Sequence, residues 1–281
     1  MIAHGVALHG RRLATATGRP RVSVVVPTYN EAANLPHVFA ELPAGLHEVI
    51  VVDGHSTDGT IEVAQALVPN VKIVRQTRKG KGNALVCGFA AVTGDIVVTL
   101  DADGSAHPGE ICAFVRALVD GADFAKGTRF ANGGGSNDIT HLRRAGNAWL
   151  NRLVNLLYGT RYTDLCYGYT AFWSTCLLAL DLSPGTPGDE MQWGDGFEIE
   201  TIINTRIAKA GLRIAEVGSF ERSRIHGISN LNAVSDGLRV LKTIMRERRL
   251  SAPPAQVELV AYPRTISLDA RPAVAVAVEE F

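Results

Sequence analysis

Long apolar runs are missing from this chain: no stretch reaches the roughly 18 continuous apolar residues of a membrane-spanning helix. Residues Met1 to Arg21 carry arginines but no apolar segment, so a secretory signal is not expected there. Neither charge sign is in excess. Lys+Arg and Asp+Glu stand at 28 each, which removes the basic field of a nucleic-acid binder. Cysteine is sparse: Cys87, Cys112, Cys166 and Cys176 fall at no metal-ligand spacing and read as reduced core residues of a cytosolic protein. The eight histidines are too dispersed to form a metal cluster. A G-x-G-x-x-G fingerprint after the first strand pattern and a Walker loop are both absent, which excludes the phosphate loops of dehydrogenases and ATPases.

What is present is a globular composition, 46% hydrophobic and 20% charged over 281 residues, enough for a sizeable core. Strand and helix patterns alternate through the first half. Val22 to Pro27 is a β-branched run, followed by a helix expected to open near Asn30-Glu31 and to carry Leu35, Val38, Phe39 and Leu42. Glu48 to Asp53 is the next strand; its helix follows Ser56-Thr57-Asp58 with Ile61, Ala64 and Leu67 on one face. Val71 to Val74 and Gly82 to Ala91 repeat the pair, then Ile96 to Leu100, a helix from about Pro108 to Val119, and Phe124-Ala125-Lys126. Continuous apolar strands separated by helices predict a mostly parallel sheet covered on both faces. Residues 1–20 read as a loose arm and 251–281, after Ser251-Ala252-Pro253-Pro254, as a tail of unread role, leaving 21–250 as the compact unit.

Ligands of such sheets collect at the carboxyl ends of the strands. Thr28-Tyr29-Asn30-Glu31, Asp53 with His55-Ser56, Arg75, and Asp101 with Asp103 are therefore expected to line one crevice. Asp101-Ala102-Asp103 is the sharpest feature. Two carboxylates at i and i+2 on extended chain point to one side and repel unless a cation sits between them. A hard divalent ion with room for substrate phosphates suits that pair.

Several blocks together carry a family pattern. They are Val24-Val25-Val26-Pro27-Thr28-Tyr29-Asn30-Glu31, Val51-Val52-Asp53-Gly54-His55-Ser56-Thr57-Asp58-Gly59-Thr60, Lys79-Gly80-Lys81-Gly82-Asn83-Ala84 and Asp101-Ala102-Asp103. The chain resembles family 2 glycosyltransferases of GT-A fold. Gly127-Thr128-Arg129-Phe130, Asp164 to Phe172, and Arg224-Ile225-His226-Gly227-Ile228-Ser229 are similar to the dolichol/polyprenyl-phosphate mannose or glucose synthase branch. The resemblance covers about residues 21–245.

It implies an α/β, Rossmann-like GT-A sheet flanked by helices, with acceptor-side helices towards the C-terminus. It also implies a GDP- or UDP-linked sugar donor, with Pro27, Tyr29 and Glu31 holding the nucleoside and Asp53 accepting from the base. Asp101 and Asp103 would carry Mg²⁺ or Mn²⁺ against the diphosphate, and Lys81 or Arg224 would add positive charge there. Transfer by such enzymes typically inverts the anomeric carbon. Two departures stand out: Gly54-His55 where the family commonly has a second acid, and Ser229-Asn230 where the branch usually has Ser-Lys.

The acceptor sets what machinery is needed. A phosphate monoester, with a second pKa of about 6, arrives largely ionised and needs positioning more than a base. The resemblance places the lipid-phosphate clamp at Arg129, Arg143 and Arg144, with Asn147. A soluble hydroxyl acceptor is the alternative and needs a carboxylate base. The downstream acids are Asp189-Glu190, Asp195, Glu198 and Glu200. For Asp195 and Glu198, a helix-dipole role and a catalytic or acceptor-orienting role stand about level.

Trp149, Leu153 and Leu156-Leu157 share a helix face bordered by Arg143, Arg144 and Arg152. Leu238, Leu241, Ile244 and Met245 lie opposite Arg239, Lys242, Arg246, Arg248 and Arg249. Core packing is the commoner fate of such faces. The resemblance favours peripheral contact with the cytoplasmic membrane face for the first helix and leaves the second open. Gly133-Gly134-Gly135-Ser136-Asn137 reads as a flexible lid, and Trp173 and Trp193 as core or interface residues more than sugar platforms. The sequence sets no oligomeric state.

Overall fold

The computed structural model describes residues 19–227 and 233–250; the expected arm up to residue 18, Ser229-Asn230 and the tail 251–281 lie outside them. The first half runs β1 (Val22–Thr28), α1 (Leu35–Ala40), β2 (Glu48–Asp53), α2 (Thr60–Leu67), β3 (Lys72–Arg75), α3 (Lys81–Ala91) and β4 (Ile96–Thr99). Next come α4 (Ile111–Val119), β5 (Phe124–Thr128), β6 (Gly135–Ser136), α5 (His141–Tyr158) and β7 (Thr170–Trp173). The chain closes with α6 (Cys176–Leu180), α7 (Ile199–Lys209), β8 (Ile214–Gly218), β9 (Phe220–Glu221) and α8 (Ala233–Arg249).

Seven strands form one sheet in the order β3-β2-β1-β4-β7-β5-β8. β1 is parallel to β2 and β4, β2 to β3, and β5 to β8, while β7 runs antiparallel between β4 and β5. The Val- and Ile-rich runs of β1, β2 and β4 are buried, as strands covered by helices on both faces must be. The sheet is mostly parallel and helix-flanked, as expected. Among the described residues no helix is long and apolar enough to cross a membrane.

Local differences from expectation have local causes. The first helix starts at Leu35, not at Asn30-Glu31, because Asn30 is left-handed (φ 56°) and the N–H groups of Asn34 and Leu35 turn back to the Glu31 carbonyl. Pro108–Glu110 is a 3₁₀ turn leading into α4. In α2 the buried line is Thr60 and Ala64, with Ile61 only half-buried. The glycine-rich lid segment is paired instead, since β6 lies parallel to β9. Only Cys87 and Cys176 are core cysteines; Cys112 is half-buried and Cys166 exposed.

α5 is amphipathic the wrong way round. Asn147, Asn151 and Asn155, at four-residue spacing, face inward along the 162–166 segment. Asn151 accepts from the Leu165 N–H and donates to the Thr163 carbonyl; Asn155 does the same with the Tyr162 N–H and carbonyl. Asn147 donates to Asp164 and accepts from the Cys166 N–H. The three amides thus imitate a neighbouring strand and satisfy an otherwise unpaired stretch of backbone. Leu150 and Val154 join Tyr162, Leu165, Val240 and Ile244 in a second small core that binds α5 to α8.

Candidate active site

From β1 the chain steps outward to β2 and β3, then returns to the other side of β1 with β4. The carboxyl ends of β1 and β4 therefore open a crevice at the point where the strand order reverses. Tyr29 and Glu31 follow β1; Asp101 and Asp103 follow β4. The turns after β1 and β2 are tied together, since Asn30 N–H donates to Ser56 Oγ (2.9 Å) and Thr57 N–H to Asn30 Oδ1 (2.9 Å).

The two aspartates each face a cation. Lys81 Nζ lies 2.7 Å from Asp101 Oδ1 and 2.9 Å from Glu200 Oε1. Burial opposes the ammonium charge, but Asp101 and Glu200 outweigh it and hold the Lys81 pKa above its ordinary value. Arg224 Nη2 lies 2.8 Å from Asp103 Oδ2, while Asp103 Oδ1 accepts the Ser105 N–H at 2.9 Å. Glu31 completes the group. Burial raises its carboxyl pKa, the Asn34 amide pulls it down, and the charges of Asp103, Arg224 and Asp101 all reach it. Asp101, Asp103, Glu31, Lys81 and Arg224 thus share one crevice.

Lys81 is aimed by its surroundings. It opens α3, where Gly82 N–H (2.7 Å) and Asn83 N–H (3.2 Å) donate to the Asp195 carbonyl, which takes up donors that a helix start leaves free. Side chains at Gly80 and Gly82 have no room, because a Cβ would fall 2.2 Å from the Asp195 oxygen and 2.0 Å from the Gly194 oxygen. Arg78 fixes the same loop with a bidentate pair to Asp195 (2.7 and 2.8 Å). At Gly168 a Cβ would meet Lys81 Nζ at 2.9 Å and Glu200 Oε1 at 3.1 Å. This glycine forms the wall against which the Lys81–Glu200 pair rests.

The acids left level by the sequence separate here. Asp195 is a clamp, held by Arg78 and Asn83 and accepting from Gln192 N–H. Glu198 is buried and accepts from Gly194 N–H at 2.9 Å. Glu200 is the one of the three joined to the Asp-x-Asp pair, through the Lys81 ammonium it shares with Asp101. Its signal in the sequence was slight, a position two residues past Glu198 at a helix start.

The other expected site residues fall in several places. Asp53 is fully buried, its carboxylate accepting the N–H groups of His55 (3.0 Å) and Ser56 (3.3 Å), so it shapes the 53–58 turn from behind the crevice. Arg75 is exposed at the end of the edge strand β3. Arg129 is 5% exposed and committed to acids, with a bidentate pair to Asp164 (2.7 and 2.9 Å) and both Glu221 oxygens at 3.0 Å. It is a buried anchor, not a free phosphate fork. Arg143 pairs with Asp138 at 3.2 Å, and Arg144 is exposed with its guanidinium 5.4 Å from the Phe130 ring. Pro27 is half-buried within β1 and Tyr29 is exposed. Trp173 is buried, and Trp193 lies under Arg246 at 4.1 Å.

Among the described residues no group of three or more His, Cys, Asp or Glu is arranged to hold a metal ion by itself. An all-protein cage is therefore not what this site offers. The carboxylates of Asp101, a third exposed, and Asp103 are hard oxygen donors that would suit a divalent cation sharing its shell with diphosphate and water oxygens.

Residues 23–177 match the family described as glycosyl transferase family 2. The chain belongs to this family. The glycosyltransferase is 30% identical over 235 residues to glycosyltransferase AglJ of Haloferax volcanii, covering 83% of this chain and 73% of that one. It is 34% identical over 208 residues to undecaprenyl-phosphate mannosyltransferase of Micrococcus luteus (70% and 82% covered). It is 31% identical over 229 residues to polyprenol monophosphomannose synthase of Mycolicibacterium smegmatis (77% and 84% covered). In three dimensions it resembles glucosyl-3-phosphoglycerate synthase of Mycobacterium tuberculosis, solved with Mn²⁺, UDP and glucosyl-3-phosphoglycerate. That likeness has TM-score 0.59 and 25% identity, and covers 85% of this chain and 82% of that one. The glycosyltransferase has the GT-A fold.

Proposed function

We propose that this glycosyltransferase moves a hexose from a GDP- or UDP-linked donor to polyprenyl phosphate, inverting the anomeric carbon. The observation that carries the reading is the convergence of Asp101, Asp103, Lys81 and Arg224 at the reversal of strand order. Asp101 and Asp103 would hold Mg²⁺ or Mn²⁺, which when bound supplies positive charge against the departing nucleoside diphosphate. The presence of Mn²⁺ and UDP in the solved relative supports this. Lys81 and Arg224 present ammonium and guanidinium to the same phosphates. Tyr29 and Glu31 flank the nucleoside side.

Two relatives named for polyprenyl-type acceptors support the phosphate acceptor. So does the state of the acids. Asp195 is tied to Arg78, Glu198 is buried, and Glu200 holds Lys81, which leaves none of them as a ready base for a hydroxyl. An ionised phosphate attacks without one. Arg143 and Arg144, on the outer first turn of α5, would receive it.

The same helix supports a reading of peripheral contact with the cytoplasmic membrane face. Its outward stripe is Leu142, Trp149 and Leu156, exposed by 66, 53 and 83% and spaced seven residues apart. Leu153 and Leu157, expected on that stripe, pack instead on the second core. α8 adds exposed Leu238 and Met245 beside Arg239, Lys242 and Arg246.

The glucosyl-3-phosphoglycerate synthase likeness favours a second reading, a soluble hydroxyl acceptor. Incubation with radiolabelled GDP-mannose or UDP-glucose, Mn²⁺ and polyprenyl phosphate separates the two. Label is expected in the organic phase, lost with Asp103→Ala and reduced at least about tenfold with Arg143→Ala/Arg144→Ala. Label confined to a water-soluble acceptor would overturn the lipid reading.

A further inference from the structure

Each acid of the Asp-x-Asp pair faces a cation of the chain itself, and the two cations are held differently. Lys81 is anchored on both sides, by Asp101 and by Glu200, with Gly168 against it. Among the described residues Arg224 has one acidic ion-pair partner, Asp103 at 2.8 Å, and its side chain is 30% exposed. The backbone around it is pinned. Arg222 N–H donates to the Ser105 carbonyl (2.8 Å), Ile225 N–H to the Asp103 carbonyl (3.2 Å) and His226 N–H to Asn34 Oδ1 (3.0 Å). The Arg222 guanidinium also holds Glu41 at 3.0 Å. The Arg224 side chain can therefore turn away from Asp103 while its Cα stays over the site.

We infer that Arg224 is a resident counter-ion of Asp103 that makes divalent-cation binding conditional on a nucleoside diphosphate. This rests on the metal and donor assignment proposed above. A guanidinium 2.8 Å from Asp103 Oδ2 stands where a cation bound to that oxygen would be, and the two positive charges repel at that distance. Leaving Asp103 with no other anion present would strand the guanidinium charge in a part-buried place. A diphosphate removes that cost by offering oxygens within reach of the same arm, in the two-point geometry that arginine favours. Each of cation and diphosphate then raises the other's affinity by one common factor. Lys81 cannot play this part, because Glu200 holds it whether or not Asp101 releases it.

The test is a Mn²⁺ titration of the full chain, read by electron paramagnetic resonance of free Mn²⁺, without nucleotide and with saturating UDP or GDP. Wild type is expected to bind Mn²⁺ alone about tenfold or more weakly than with the preferred nucleotide, within the range of ordinary coupled sites. Arg224→Gln is expected to bind Mn²⁺ alone more tightly than wild type, with the nucleotide enhancement shrinking towards one. Arg224→Lys, which keeps the charge but not the fork, is expected between them. A purely structural arginine would change the melting temperature without tightening Mn²⁺ alone. Equal or weaker Mn²⁺ affinity in Arg224→Gln, while wild type still binds Mn²⁺ with nucleotide, overturns this inference and leaves metal-assisted transfer standing. No Mn²⁺ binding by wild type with either nucleotide overturns both.

Discussion

Lys126 sits in the middle of β5 with no exposed surface, donating its ammonium to the Tyr167 carbonyl. Burial pushes its pKa from 10.5 down to about 8, against the pull of Asp164. The unfolded chain therefore holds more protons than the folded one between about pH 8 and 10.5, and stability rises with pH across that window. The charged form costs on the order of 3 kcal/mol at neutral pH by this linkage. Lys126→Met is expected to flatten the rise between pH 8 and 9.5 in urea denaturation; an unchanged slope would show that Lys126 does not titrate there. At this scale the sequence was legible where chemistry is local. Asp101, Asp103 and Glu31 are read from strand ends, and all three meet in the crevice. Arg129 was not, because its partners Asp164 and Glu221 lie 35 and 92 residues away and only folding brings them to it. Asp53 shows the other half of this, since a carboxylate at a strand end can also cap its own turn, as its bonds to the His55 and Ser56 N–H groups do.

The loop between β3 and α3 and the loop before α7 act as one unit, because the Asp195 carbonyl receives the first amides of α3 and Arg78 grips the Asp195 carboxylate. All three atoms nearest a side chain at Gly82 are backbone atoms of residues 194–196, which cannot rotate aside. Gly82→Ala is expected to lower stability by about 1–3 kcal/mol and to reduce transferase turnover by moving Lys81. Thermal denaturation and initial rates check this, and an unperturbed variant would mean that the loops separate easily. The first-half strands were legible since burial on both faces forces unbroken β-branched runs. β7 was not, being four residues long and antiparallel, with a pattern no different from a buried turn. The late start of α1 escaped as well, because a left-handed Asn30 leaves no mark on hydrophobic spacing.

Among the described residues, Leu142, Trp149 and Leu156 on α5 and Leu238 and Met245 on α8 are exposed large hydrophobic side chains in company with basic residues. Vesicles with anionic lipid are expected to bind the protein more tightly than neutral ones. Leu142→Ser/Trp149→Ser/Leu156→Ser should cut that partition by at least about tenfold, as judged by co-sedimentation. Equal partition of the variant would place the contact elsewhere. The asparagine ladder gives this arrangement a further meaning. α5 is zipped by Asn147, Asn151 and Asn155 to residues 162–166, and the chain runs on two residues to Gly168, which abuts Lys81 and Glu200 beside Asp101. A surface that settles on Trp149 is thus connected to the reaction centre by a short, hydrogen-bonded span with little slack. Under the proposed membrane contact such a span would work as a depth gauge: it would set how far above the lipid the sugar is handed over, and so how far a phosphate headgroup would have to rise to meet it.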